Sequence, residues 1–266
     1  MTGRRASADA GEPVFVQRIE RVAVISLNRP QKHNAISDDL YDALYEAALT
    51  ATEDSDVRAI VLRGEGASFS SGRDTTEMGR NVESSGDFVR RSQSLNRLLR
   101  ACSTPVVVAL KGHVIGKALE LALAADFRFV ARGARLAFPE IEFGLVTDNA
   151  GATSASVLAG PSRAKYLLMS GAAISAEEAV AWNLADWLVE PVALDDAALG
   201  LATRLAARSP AAIALTKQLV NQTNDAIVAL GFQSEMLAQR VLFAGDDHRE
   251  AVAARREART PDFRAR

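Results

Sequence analysis

Residues Val106 to Asp126 read VVVALKGHVIGKALELALAAD, and this stretch decides the fold class. The β-branched and apolar run Val106 to Leu110 predicts a buried strand. A glycine-containing turn from Gly112 to Gly116 follows it, and Lys117 to Ala125 has the composition of a helix. The stretch therefore predicts a strand that passes directly into a helix, which is the building unit of α/β proteins.

The same order of elements precedes this stretch. The expected elements are strands at Val22–Leu27 and Ala59–Leu62, a helix after Ser37 and a helix around Phe88–Arg100. Ser37 is suited to cap its helix, because a serine oxygen accepts hydrogen bonds from the free N–H groups of the first turn. The loop from Gly64 to Gly72 is rich in glycine and serine. Strands that alternate with helices in this way predict an α/β fold.

Beyond Gly160 the apolar periodicity is helical. Ser175 and Glu178 have the spacing of a capping box, and Ser209-Pro210 predicts another helix start, since proline suits the first helical position. No strand is expected from Pro210 to Glu257. The apolar residues of that region need a partner surface; they include Ile213, Leu219, Ile227, Leu230 and Leu237.

Composition excludes several classes of function. The chain has 266 residues, of which 48% are hydrophobic, and a formal charge of −2. This balance gives no electrostatic reason for binding nucleic acid or an anionic membrane. With Cys102 as the single cysteine and three histidines, an internal disulfide is impossible and a structural zinc site is not expected. A reducing cytoplasm is the location that fits best.

The sequence predicts neither a membrane-spanning helix nor a secretory signal. No apolar run reaches the roughly 20 residues of a spanning helix. Residues 1–13 lack the apolar core of a secretory signal and are expected to be a disordered lead-in. We expect residues 14–208 to form the core and residues 209–266 a helical region.

Two glutamates stand in unusual surroundings. Glu120 lies within the run ALELAL, and Glu140 directly follows Phe138-Pro139. Each has an ordinary interpretation, as a solvated helix residue or, for Glu140, as a complement to a helix N-terminus. If the two carboxyls face one water, burial and mutual repulsion would keep one protonated as the acid while the other acts as the base.

Two glycine-containing turns are candidates for binding an anionic oxygen. They are Phe69-Ser70-Ser71-Gly72-Arg73-Asp74 and the turn from Gly112 to Lys117, and each follows a predicted strand. Free backbone N–H groups at such turns point toward anions. Neither matches a phosphate-binding fingerprint, and both are equally compatible with ordinary turns. The three histidines are expected to be isolated structural or surface residues.

Taken in order, these segments closely resemble the enoyl-CoA hydratase/isomerase (crotonase) superfamily. The segments that carry the resemblance are Leu27-Asn28-Arg29-Pro30, Asn34-Ala35, Phe69 to Asp74, Gly112 to Asp126, Phe138-Pro139-Glu140, Gly144-Leu145-Val146, Ile174 to Ala179, and Pro261 to Arg264. The likeness runs from about Val14 to the C-terminus. It implies an α/β spiral of repeated strand-strand-helix turns with a C-terminal helical region, assembled as trimers or dimers of trimers.

The resemblance also implies a site. Glu120 would help to activate water, and Glu140 would hold that water and exchange a proton with the substrate α-carbon. The backbone N–H groups of Arg73 and Lys117 would form the oxyanion hole. Arg73, Asp74, Thr75 and Thr76 would line the path of the coenzyme A thioester together with Gly116, and Ala35 would lie near the adenine end. No metal or redox cofactor is implied, since coenzyme A belongs to the substrate.

Three departures from the superfamily pattern bear on activity. Arg73 and Lys117 stand where small residues or glycine are common, and Thr147 to Gly151 replaces a more typical glycine-rich loop with one similar to that of the carnitinyl-CoA dehydratase branch. The leading prediction is reversible hydration of a 2-enoyl-CoA. The alternatives are an enoyl-CoA isomerase, a specialised acyl-CoA dehydratase and a non-catalytic acyl-CoA binder.

Overall fold

The computed structural model describes residues 11–77 and 85–264. Its main sheet has six strands in the order β1, β2, β3, β4, β6, β9, and a second sheet has three in the order β5, β7, β8. The strands are β1 Val14–Ile19, β2 Val22–Leu27, β3 Ala59–Gly64, β4 Val106–Leu110, β5 His113–Ile115, β6 Phe127–Ala131, β7 Arg135–Ala137, β8 Ile174–Ser175 and β9 Trp187–Val189. The predicted α/β class is therefore confirmed.

Helices follow the strands along the chain. They are α1 Asp38–Glu53, α2 Ser85–Ala101, α3 Lys117–Ala124, α4 Gly151–Ala159, α5 Pro161–Ser170, α6 Ala176–Ala181, α7 Leu194–Ala206, α8 Pro210–Gln222, α9 Asp225–Phe243 and α10 Asp246–Arg256. The predicted caps are present. Ser37 accepts a hydrogen bond from the N–H of Leu40, and Ser209 accepts one from that of Ala212. Ser175 and Glu178 form the capping box in both directions.

The main sheet is buried on both faces, which explains its long apolar strands. Strand β2 pairs antiparallel with β1 and parallel with β3, and the remaining pairs of this sheet are parallel. Alternate residues such as Ile25, Leu62 and Val108 pack against α1, α2 and α3. Their neighbours, such as Val24 and Val61, pack against α7. Because both faces of the sheet are packed in this way, the positions at which the loops leave the strands are well defined.

The segment from Gly112 to Gly116 is more regular than the simple turn that was expected. Residues His113–Ile115 form strand β5, which runs parallel to β7, and Val114 also bridges to Ser70. Short strands likewise interrupt the region beyond Gly160, where only helices were expected: Ile174–Ser175 and Trp187–Val189. Strands of two or three residues are too short to produce a readable periodicity, and their partners lie far away in sequence.

The C-terminal helices pack back onto the core. Helix α9 lies against α2 and α4, and α10 lies against the short 3-10 segment Pro139–Phe143. Several large apolar side chains of α8 and α9 are nevertheless more than half exposed: Leu215, Leu219, Val220, Ile227, Leu230, Leu237 and Val241. In the described ranges no helix has both the length and the apolar character needed to cross a bilayer. The expected disordered lead-in falls largely on residues 1–10, outside the described residues.

Candidate active site

A cavity of about 300 Å³ collects the side chains that the sequence singled out. Its walls come from the loop after β3, the β5–α3 junction, α2, the segment after β7, and the helices α9 and α10. The lining residues include Gly72, Arg73, Thr75, Phe88, Ser92, Gly116, Lys117, Glu120, Glu140, Asp148, Gln239, Phe243, His248 and Arg255. Residues separated by more than 180 positions in the chain therefore meet at one site.

Arg73 and Lys117, the residues expected to supply an oxyanion hole, both line the cavity. Gly72 has φ +83°, and a Cβ added there would lie 2.4 Å from the carbonyl oxygen of Ile115 and 3.7 Å from the backbone nitrogen of Lys117. Within the described chain, the N–H groups of Arg73 and Lys117 make no hydrogen bond. That of Lys117 belongs to the first turn of α3, where such donors have no partner inside the helix. The pair is therefore free to bind an oxygen that carries negative charge.

Glu120 is held as a hydrogen-bond acceptor in the first turn of α3. It is 2% exposed. Its Oε1 accepts hydrogen bonds from the backbone N–H groups of Asp148 and Asn149 at 3.0 and 2.9 Å, and Oε2 accepts one from Asn149 Nδ2 at 3.0 Å. Burial raises the pKa of Glu120 well above its usual value; the carboxylates of Asp148, Glu140 and Glu235 add to this, and the Lys117 ammonium opposes it.

Glu140 has fewer hydrogen-bond donors than Glu120. Its Oε2 is fully enclosed and has no hydrogen-bond partner in the part of the chain that the structure describes. A Cβ added at Gly116 would come within 2.6 Å of Oε1, which shows how closely this oxygen lies to the Gly116 backbone. Burial raises the pKa of Glu140 to about 8. Since N–H donors stabilise a carboxylate, we assign the negative charge of the pair to Glu120 and the proton to Glu140.

A third buried carboxyl, Glu235, supports the site from α9; it lies in a helical stretch without a motif that would have singled it out. Its oxygens accept hydrogen bonds from the N–H groups of Gly151 and Ala152 at 3.2 and 3.0 Å. Burial raises the pKa of Glu235 to about 7. Gln93 fixes the same loop, because its amide donates to the carbonyl of Asp148 at 2.7 Å. These contacts hold the loop whose N–H groups bind Glu120.

The bulky side chains of Lys117 and Arg73 are accommodated by contacts with α1, α2 and the 147–150 loop. Lys117 Nζ donates to the carbonyl and hydroxyl oxygens of Ser92 at 3.0 and 2.5 Å, and lies 3.4 Å from Asn149 Oδ1. Burial lowers the pKa of Lys117, while Asp148 and Glu120 oppose this shift. The Arg73 guanidinium lies 4.1 Å from the ring centre of Phe88. These contacts involve only the side chains of Lys117 and Arg73 and leave their backbone N–H groups unused.

The remaining predicted ligand-binding residues are spread along one side of the site. Thr75 lines the main cavity, and Thr76 lines a neighbouring pocket that also contains Thr75 and Arg255. Asp74 accepts hydrogen bonds from the Thr76 N–H and hydroxyl, and so shapes this turn. Ala35 accepts a hydrogen bond from Arg29. Neither Asp74 nor Ala35 is among the described residues that line the main cavity.

The histidines are less isolated than their spacing suggests. The rings of His33 and His113 lie 5.1 Å apart, and His33 Nδ1 is 3.1 Å from the Ser68 hydroxyl. His248 is buried and lines the cavity. Among residues 11–77 and 85–264, no group of three histidine, cysteine or acidic side chains is placed to hold a metal ion.

Comparisons with known proteins identify the family of the chain. The family model described as "Enoyl-CoA hydratase/isomerase" matches residues 17–266. The chain is 31% identical over 245 residues to a short-chain-enoyl-CoA hydratase from Clostridium acetobutylicum, covering 91% of this chain and 93% of the relative. It is 30% identical over 249 residues to the 1,2-epoxyphenylacetyl-CoA isomerase of Escherichia coli, covering 91% and 94%.

A solved structure agrees with the observed fold as well. The crystal structure of an enoyl-CoA hydratase/isomerase from Pseudoalteromonas atlantica superposes with a TM-score of 0.85 at 28% identity, covering 95% of this chain and 100% of that one. With the family model spanning nearly the whole sequence, the chain belongs to the enoyl-CoA hydratase/isomerase (crotonase) family.

Proposed function

We propose that this chain catalyses the reversible addition of water to a 2-enoyl-CoA, which gives a 3-hydroxyacyl-CoA. The observation that supports this most directly is the unequal pair of carboxyls in one cavity. Glu120 accepts three hydrogen bonds, whereas Glu140 Oε2 accepts none. Hydration needs one group that takes a proton from water and one that delivers a proton to carbon, and this pair is suited to both tasks.

The oxyanion hole would stabilise the charge that develops during the reaction. When water adds to the β-carbon, the electrons of the double bond move toward the thioester carbonyl and form an enolate. The N–H groups of Arg73 and Lys117 would bind that oxygen more strongly in the transition state than in the substrate. Loss of one such donor typically raises a barrier by about 3 to 4 kcal/mol.

The proton steps follow from the assigned charges. The Glu120 carboxylate accepts a proton from water as the water oxygen bonds to the β-carbon. The protonated Glu140 then delivers its proton to the α-carbon, and the enolate electrons form the new C–H bond. In the reverse direction, ionised Glu140 removes that proton and Glu120 returns a proton to the departing hydroxyl. No metal or redox group takes part in these steps.

The thioester path is proposed from the same arrangement. Arg73, Asp74, Thr75 and Thr76 would guide coenzyme A past Gly116, with Ala35 toward its adenine end. The neighbouring pocket of Thr75 and Thr76 also contains Arg255 and Arg256, and two guanidinium groups are well suited to phosphate. Positive charge thus lies beside the proposed path.

The exposed apolar side chains of α8 and α9 support a proposal about assembly. We propose that residues 209–266 join copies of the chain into a trimer or a dimer of trimers, because large apolar patches on a surface usually mark interfaces. Sedimentation equilibrium tests this directly. A monomer at every protein concentration would contradict it.

Isomerisation is the second candidate. One carboxyl suffices to move a proton within an enolate, and Glu140 combines a raised pKa with an unpartnered oxygen. A specialised dehydratase would use the same residues in the reverse direction. The E. coli relative that is named as an isomerase shows that sequences of this similarity include that activity.

Product analysis with crotonyl-CoA and a panel of longer enoyl-CoAs tests the proposal. Hydration removes the absorbance of the conjugated thioester and increases the product mass by one water. A product of unchanged mass would favour the isomerase. Saturable binding without any product over the whole panel would favour a non-catalytic binder.

A further inference from the structure

The C-terminal helices contribute one wall of the cavity, formed by Gln239, Phe243 and His248. Gln239 and Phe243 are one turn apart on α9 and so lie on the same face of the helix. The ring of His248, on α10, packs edge-on against Phe243 with 5.2 Å between ring centres. All three line the cavity that contains Glu120 and Glu140. We call this row the α9–α10 wall.

Two polar side chains of the α9–α10 wall are deeply buried. Gln239 and His248 are each 3% exposed. The side-chain carbonyl oxygen of Gln239 accepts a hydrogen bond from the Val146 N–H at 3.4 Å. The other end of this amide, Nε2, is therefore the group that can donate to a ligand. His248 Nδ1 lies 2.9 Å from the carbonyl oxygen of Phe143. Because a carbonyl only accepts, Nδ1 carries a proton, and in the neutral ring Nε2 is an acceptor.

Neither Nε2 atom has a hydrogen-bond partner among the described residues. In the described residues, the fully buried side-chain atoms that lack a hydrogen-bond partner belong to Asn96, Arg128 and Glu140. The two Nε2 atoms are not among them, so each is still accessible to a small molecule. Buried polar groups are ordinarily satisfied by protein, water or ligand. The hydration steps described above use neither residue. The wall therefore offers one donor group, the Gln239 amide, and one acceptor, His248 Nε2, to whatever occupies the cavity.

We propose that the α9–α10 wall binds a hydroxyl group on the acyl chain of the substrate. The hydroxyl accepts a hydrogen bond from Gln239 Nε2 and donates one to His248 Nε2. A plain alkyl chain would leave both nitrogens unpaired, whereas a hydroxyl has both the lone pair for the amide and the proton for the imidazole. This assignment rests on the proposed acyl-CoA site and names its substrate class, an acyl group that carries an alcohol or a phenol.

Binding of unreactive saturated thioesters tests the assignment without requiring turnover. Isothermal titration calorimetry compares hexanoyl-CoA with its forms hydroxylated at carbon four, five or six. A second pair, phenylpropanoyl-CoA and its para-hydroxy form, tests a phenol. In the natural protein we expect at least one hydroxylated ester to bind about tenfold more tightly than its parent, the effect of one well-placed hydrogen bond.

Matched variants identify the groups responsible. His248→Asn places an amide nitrogen where Nδ1 lies, so it keeps the bond to Phe143 and removes the Nε2 acceptor. Gln239→Met removes the amide at similar length. Each variant should abolish the tenfold preference, and saturable binding of the parent ester by each variant would show that the site is folded.

Three results would overturn the assignment. The first is equal affinity of the natural protein for every hydroxylated ester and its parent. The second is a preference that persists in both variants, and the third is tighter binding of adipyl-CoA, which ends in a carboxylate. If esters bind but crotonyl-CoA is not hydrated, the proposed hydration fails while the hydroxyl test still stands. If no ester binds, both proposals fail.

Discussion

Alanine at Gly116 is expected to disturb both halves of the proposed machinery. Gly116 has φ +54° and ψ −120°, and its peptide bond carries the N–H of Lys117. An added Cβ would lie 2.6 Å from Glu140 Oε1, which would have to move by about 0.8 Å to reach an ordinary contact of 3.4 Å. This backbone conformation lies outside the left-handed α region and is reached mainly by glycine, so a residue that has a side chain adds strain of about 1 to 3 kcal/mol.

Gly116→Ala is expected to lose both activity and stability. A misplacement approaching 1 Å at a reacting group can cost about 100-fold in rate. For Gly116→Ala we therefore expect kcat/KM for crotonyl-CoA to fall about 100-fold, while the free energy of unfolding falls by about 1 to 3 kcal/mol. The assay is loss of the conjugated-thioester absorbance, combined with urea unfolding.

Gly133→Ala is the matched control. Gly133 has φ +85°, and nothing lies within 4 Å of the Cβ that alanine would add. This variant should lose a similar amount of stability through backbone strain and keep its activity. If Gly116→Ala retains kcat/KM within threefold of Gly133→Ala, Glu140 and the Lys117 N–H do not occupy the reacting positions assigned to them.

Three further predictions concern the buried carboxyls. Hydration needs one proton on the carboxyl pair, which we assign to Glu140, so kcat/KM for hydration should fall about tenfold per pH unit above about pH 8. Because water addition consumes no net proton, its equilibrium constant does not change with pH, and kcat/KM for dehydration should fall in parallel; a kcat/KM that stays constant well above pH 8 would contradict the assigned proton. Because folding raises the pKa of Glu140, the folded state binds the extra proton and loses stability as pH rises from about 4.5 to about 8. The free energy of unfolding of Glu140→Gln, measured with urea, should therefore rise relative to that of the natural protein as pH increases over this window. A difference between the two that does not change with pH would show that Glu140 holds no buried proton. Glu235→Gln removes a charge that raises the pKa of Glu140, so the alkaline limb should shift to lower pH; an unmoved limb with a lower rate would indicate a purely structural role.

The chemistry-bearing part of the site was readable from short segments. Glu120 and Glu140 stand in apolar or proline-flanked contexts, and Gly72 and Gly116 mark the turns that precede Arg73 and Lys117. Each of these features depends only on neighbouring residues, so it can be recognised as a short sequence motif. The structure brings all of these residues to one cavity.

The support for the site could not be predicted in the same way. Glu235, Gln239 and His248 lie on helices whose sequence shows only amphipathic periodicity. Their significance depends on how α9 and α10 pack against the segment from Pro139 to Gly151, and long-range packing leaves no local signal. Strand β5 was missed for a similar reason, since its pairing partner β7 lies about 20 residues away.

The rate of crotonyl-CoA hydration in Glu120→Gln and Glu140→Gln is the most direct test of the central claim. Each variant should lose about 10²- to 10⁴-fold in kcat/KM, the usual contribution of a positioned acid or base. Glu46→Gln, an exposed change on α1, should retain full activity and controls for the substitution itself. Full hydration activity in either site variant would contradict the assignment of these two glutamates as the acid–base pair.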